Sequence, residues 1–139
     1  MALELWGRGV VPGRCRAPAL VSSEPISFLG GVDPESGVVV KRGHPLEGRC
    51  VRGKVLCFPH GSGSTVGSYV IYALARRGLA PSAIVNREAD PIVVVGAIIA
   101  EIPMVVGVEV SRIRTGDLVE VDGERGLVRI LSGGREACT

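Results

Sequence analysis

HGSGSTVGSYVIYALARRG, His60 to Gly78, follows the apolar run Val55 to Phe58 and passes at once into an amphipathic stretch. Val66, Tyr69, Val70, Ala73 and Leu74 recur at helical spacing, and Gly78 stands where a helix C-terminus favours glycine. The pattern predicts a buried strand over Gly53–Phe58, a helix over Ser64–Arg77 and a tight glycine–serine junction between them. Glycines let a backbone turn sharply and let a second group approach it, while hydroxyls and free amides at a helix start offer hydrogen bonds to an anion.

Such a junction serves either a ligand or the turn itself. In the first reading, the amides of Ser64 to Gly67 and the hydroxyls of Ser62, Ser64, Thr65 and Ser68 hold a carboxylate or phosphate. In the second, Ser62 or Ser64 caps the helix and the glycines only shape the turn. The residues alone weigh the two equally. The loop is no Walker motif, because no Lys follows the last glycine at the required place, and its spacing Gly61-x-Gly63-x-x-x-Gly67 is not a dinucleotide fingerprint.

Working outward, Ser82–Val85 reads as the next strand, and Asp90-Pro91 as an N-cap followed by proline at the first helical position. The helix this opens runs to about Ala100, although IVVVGAIIA is apolar all round and equally suits a strand. Ile102–Val110 is strand-like, and alternating Leu118, Val119 and Val121 lead through the Asp122-Gly123 turn into Leu127–Leu131 as a hairpin. Towards the N-terminus, Leu3–Val11 and Ala17–Ser22 read as two strands separated by Pro12-Gly13. Residues 23–48 are rich in Pro and Gly and read as projecting loops, with one strand at Val38–Lys41. The sum is a mixed α/β fold, a sandwich-like β core with a strand–helix unit inserted, expected as one domain over 1–139 with a loose tail from about residue 132.

The composition narrows the function classes. A formal charge of +2, with Lys and Arg interleaved among Asp and Glu, argues against a phosphate-tracking surface, and 4% aromatics against base stacking, so nucleic acid is not an expected partner. No apolar run approaches the ~18 residues of a membrane span and no secretory leader stands at the start, which points to a cytoplasmic protein without membrane contact. The four cysteines, Cys15, Cys50, Cys57 and Cys138, form no CxxC pair and have no His at ligand spacing, so no metal site is expected in this chain, and a Cys15–Cys50 bridge is left open. Of the two histidines, His60 is the better placed for chemistry, beside the junction; His44 opens a loop.

Four stretches carry a resemblance: PISFLGGVDPESGVVV, HPLEG, GKVLCFPHGSGSTVGSYVIYALARRGLAPSAIV and ADPIVVVGAIIAEIPMV, together spanning most of 23–106, resemble the small subunit of the aconitase X family. The resemblance implies a swivelling β/β/α domain that closes over a large subunit carrying a 4Fe-4S cluster, in a heterodimer or higher assembly with the active site between the chains. It implies a hydro-lyase acting on a small phosphorylated carboxylate, (R)-5-phosphomevalonate dehydrated to trans-anhydromevalonate 5-phosphate in an alternative mevalonate pathway; a related branch dehydrates cis-3-hydroxy-L-proline. The wider superfamily presents Gly-x-Gly-Ser-Ser at a strand-to-helix turn with the first Ser as base, a role that falls on Ser64, with Gly61, Ser62, Gly63, Thr65, Gly67 and Ser68 around the substrate. Where classical aconitases continue Arg-Glu, this chain has Val66-Gly67, so a carboxylate-binding Arg must come from elsewhere. EIPMVVGVEVSRIRTGDLVEVDGERGLVRI, in turn, is similar to the end of phosphohistidine swivelling domains, which implies the same fold but not phosphotransfer, since no His lies within Ser64 to Ser68. The rival expectation is an anion-binding swivel module without chemistry.

Overall fold

The computed structural model describes residues 3–131, so the tail expected from about residue 132 lies outside the described residues. In chain order the elements are β1 (Leu3–Trp6), β2 (Arg8–Val11), β3 (Arg14–Val21), a short kinked turn α1 (Phe28–Gly31) whose Leu29 and Gly30 are not helical, β4 (Val55–Phe58), α2 (Gly67–Arg76), β5 (Ala83–Asn86), α3 (Pro91–Ala100), β6 (Met104–Val106), β7 (Leu118–Asp122) and β8 (Leu127–Ile130). All eight strands belong to one sheet, in the order β1-β8-β7-β3-β4-β5-β6-β2.

That order places β1 and β2 at opposite edges although only Gly7 separates them in sequence, so the sheet must roll until its edges meet. Leu3–Val11 is therefore two strands and not one. Gly7 sits at the seam: its amide donates to the Gly126 carbonyl at 2.8 Å, and a Cβ there would lie 2.2 Å from the Val106 carbonyl oxygen. The sandwich-like core is also continuous, because β3 crosses from one half to the other. Its first five residues pair antiparallel with β7, and Ala19–Val21 pair parallel with β4.

Side chains alternate across this rolled sheet with the period of two that strands impose. Val55, Cys57, Val85, Val121 and Val128 point inward, filling the space between the two halves. Leu56, Phe58, Ile84 and Met104 point outward, where Ile71 and Leu74 of α2 and Val93 and Ala97 of α3 cover them. The parallel strands β4, β5 and β6 are thus buried on both faces, as crossover helices demand. The result is the expected β/β/α layering.

Asp90 decides between helix and strand for residues 91–100: its carboxylate accepts from the amides of Ile92 at 2.9 Å and Val93 at 3.3 Å, so the segment is helical. The strand expected at Val38–Lys41 is absent; Val38 and Val39 make only isolated bridges, to Cys50 and Val32, inside a loop whose neighbours are too short to pair further. Ile102–Val110 shrinks to Met104–Val106, because Gly107 turns the chain at φ 82° and a 3-10 turn follows at Val110–Arg112.

Candidate active site

The carboxyl end of β4 delivers the junction of residues 60–66, beside the carboxyl end of the parallel strand β5. Ile26 runs beside it, donating to the His60 carbonyl and accepting from the Ser62 amide at 3.1 Å. The glycines have packing reasons. A Cβ on Gly61 would lie 2.6 Å from Val93 Cγ2 and 3.0 Å from the Asp90 carboxylate, and one on Gly63, at φ 82°, would lie 2.3 Å from Ser27 Oγ. On Gly67 it would press on Ile92 Cγ2 at 3.2 Å. Ser27 and Asp90 thereby define the walls of the turn, about 30 residues away from it in either direction.

Helix α2 begins at Gly67, three residues later than the periodicity predicts, because residues 64–66 form a tighter turn first. Within that turn the Gly67 amide donates to the Ser64 carbonyl at 2.9 Å, and the Val66 amide donates to Ser64 Oγ at 3.1 Å. Within residues 63–67 the amides left without a partner among the described residues are consequently those of Gly63, Ser64 and Thr65, a set displaced from the expected Ser64 to Gly67.

The hydroxyls divide as well. Ser68 is buried, and its hydroxyl donates to the Ile92 carbonyl at 2.6 Å, tying α2 to α3. Ser62 and Thr65 have no hydrogen-bond partner for their hydroxyls among the described residues, and Ser64 accepts one bond while its proton stays available. Ser64 and Thr65 are both exposed. Ser64 thus both starts the turn and presents a hydroxyl beside unspent amides, so the capping and ligand readings coexist in one residue.

The histidines separate cleanly. Buried His44 accepts from the Leu46 amide on Nδ1 and donates from Nε2 to the Pro25 carbonyl, each at 3.0 Å, and so holds the loop. His60 is half-buried with Nδ1 2.7 Å from the Gly61 carbonyl, which can only accept, so Nδ1 bears the proton.

Cys15, Cys50 and Cys57 are free thiols, which closes the open Cys15–Cys50 bridge. Burial pushes the Cys57 thiol far up and the Cys15 thiol up to about 11, which keeps both protonated and unreactive. Among the described residues no three His, Cys, Asp or Glu side chains converge.

Residues 4–130 match the family model described as the aconitase X swivel domain. The chain belongs to this family. The crystal structure of holo-form aconitase X from Thermococcus kodakaraensis superimposes on the swivel with a TM-score of 0.91 at 52% identity, over 93% of this chain and 98% of that one. The phosphomevalonate dehydratase small subunit of Pyrococcus furiosus is 52% identical over 95% of this chain and 98% of its own length. That of Methanocella arvoryzae is 53% identical over 92% and 99%. No helix of the swivel's described residues is long and apolar enough to cross a membrane.

What the sequence missed at this site is its frame. Asp90 is legible as a helix cap, but its approach to Gly61 requires the β5–α3 crossover to fold first. Ser27 carries no motif of its own.

Proposed function

We propose that this chain is the cytoplasmic small subunit of a heteromeric hydro-lyase that dehydrates (R)-5-phosphomevalonate to trans-anhydromevalonate 5-phosphate. The observation that carries the reading is the near-full-length identity, at and above half, to proteins named phosphomevalonate dehydratase small subunit. The large subunit carries the 4Fe-4S cluster and closes the site over the junction; one single domain of this chain swivels onto it.

Ser64 is the proton acceptor. In the elimination the C2–H bond breaks, its proton passes to the Ser64 alkoxide, its electron pair becomes the C2–C3 double bond, and the C3 hydroxyl leaves as hydroxide, which becomes water when the proton held by Ser64 is handed on and the alkoxide is restored. Serine is a weak base unaided, so its alkoxide must be favoured by nearby donors. The Val66 amide already points at Ser64 Oγ, and α2 adds the positive end of its dipole. The unspent amides of Gly63, Ser64 and Thr65 and the hydroxyls of Ser62 and Thr65 hold a carboxylate or phosphate oxygen of the substrate. Gly61, Gly67 and Ser68 keep the turn in place.

The test is turnover of the complex co-purified with its large subunit. The assembled complex dehydrates the substrate, and this chain alone does not. Ser64→Ala lowers turnover by about 10²- to 10⁴-fold with assembly intact, and Ser62→Ala lowers it far less. Near-normal turnover of Ser64→Ala excludes the base assignment, and a change in ligand affinity alone favours the anion-binding module.

A further inference from the structure

Helix α3, PIVVVGAIIA, carries no polar side chain in ten residues. Val93, Gly96 and Ala97 face inward, and Gly96 admits Ile71 of α2 so closely that a Cβ would lie 2.6 Å from Ile71 Cδ1. Its other side is bare: Val95 is 48%, Ile98 53% and Ile99 42% exposed. Across from it α2 presents Val66 and Tyr69, the latter 69% exposed. Of these, Val66, Tyr69, Val95 and Ile99 line, with Thr65 and Ile92, a groove of about 460 Å³. A helix apolar all round is ordinarily covered all round, and contiguous apolar surface of this kind marks an interaction site.

We infer that the α2–α3 groove is the seat of the large subunit, which fills it with an apolar segment. The inference rests on the reading of this chain as a small subunit. The groove is continuous with the active-site turn, since Thr65 and Val66 belong to both, so a chain that brings the rest of the site to the exposed Ser64 hydroxyl lies across the groove's mouth. No charged side chain lines the groove, which suits an aliphatic or aromatic insert and gives an acidic peptide or a polyanion nothing to pair with. The outer face of the antiparallel strands, by contrast, is laced with Arg–Glu pairs and is satisfied in water.

The experiment co-purifies the full chain, wild type or variant, with its tagged large subunit and reads the association constant and the dehydratase turnover of the wild-type complex separately. Val95→Asp and Ile99→Asp weaken association by roughly 30-fold or more, the loss typical of a central apolar anchor, while Ile99→Leu associates as wild type. Tyr69→Glu, at a site too exposed to disturb folding, guards against a misfolded α3 and weakens association in the same direction. Normal assembly of the Val95, Ile99 and Tyr69 charge variants overturns the inference. So does a chain that self-associates through this face while still binding its partner normally. A wild-type complex that assembles but lacks turnover on (R)-5-phosphomevalonate contradicts the proposed reaction, and leaves the groove to be judged on assembly alone.

Discussion

The two outward faces of the molecule solve burial in opposite ways. On the antiparallel half, Glu4 of β1, Arg129 of β8, Glu120 of β7 and Arg16 of β3 stand directly opposite one another, strand by strand, in alternating charge. The contacts follow the register: Arg129 meets Glu4 at 2.9 Å and Glu120 at 3.3 Å, and Arg16 meets Glu120 at 3.1 Å. On the parallel half, helices shield the strands, yet the outer side of α3 offers water only apolar side chains. One face is finished as a surface; the other, on the inference drawn above, is half of an interface. The difference teaches that the Ser64 turn sits at the rim of the apolar face, and on the proposed function its hydroxyl works only once the partner covers it.

The comparison presumes that both halves are one closed sheet, and the seam is where that fails first. A Cβ on Gly9 of β2 would lie 2.0 Å from the Gly123 carbonyl oxygen in the turn after β7, and the obstacle is backbone that cannot rotate away. Gly9→Ala is expected to cost about 3 kcal/mol or more in denaturant unfolding, with loss of structure in both halves together. If the antiparallel half stays protected while the helical half unfolds, the two faces belong to independent units.

Much of this architecture is legible from residues alone. The β4–α2–β5 unit and the β7–β8 hairpin read correctly because each is set by local period and turn chemistry. The break at Gly7 is illegible because a glycine within a short strand-like run does not by itself end the strand; only the distant pairings of β1 with β8 and β2 with β6 separate the strands. Val38–Lys41 has strand-like residues but no long neighbour. At the site, the hydroxyl cluster from Ser62 to Ser68 is visible in the sequence, whereas the division of labour within it is not. That division depends on Ile92, Ser27 and Asp90, which only the crossovers bring near.

Ser68 sharpens the contrast between structure and chemistry inside that cluster. Its hydroxyl is committed to the Ile92 carbonyl, so Ser68→Ala is expected to destabilise the chain by about 1 kcal/mol in thermal or denaturant unfolding. Turnover of the assembled complex should stay within about threefold of wild type, far from the ~10²-fold or greater loss at Ser64. Equal loss of turnover at both serines with stability unchanged assigns Ser68 to the chemistry and removes the distinction.

The smallest effect belongs to the charged face, and it tests whether that face is merely solvated. Arg129 is the node of the ladder, bridging Glu4 and Glu120 across three strands, but its side chain is about a third exposed and its partners more or less open to water. Exposed pairs typically contribute ~0.2–1 kcal/mol, and high salt screens them further. Arg129→Ala should therefore cost about 1 kcal/mol at low ionic strength, from two bridges lost at once, and clearly less in 1 M salt, where the Debye length falls to ~3 Å. A Glu4–Arg129 double-mutant cycle isolates the outer bridge, and its coupling should vanish on the same salt scale. Association with the large subunit should not change, because no residue of the ladder approaches the α2–α3 groove. A salt-independent cost well above 1 kcal/mol, or weakened assembly, means that this face too is covered by a partner and that the asymmetry between the two faces is not what orients the subunit.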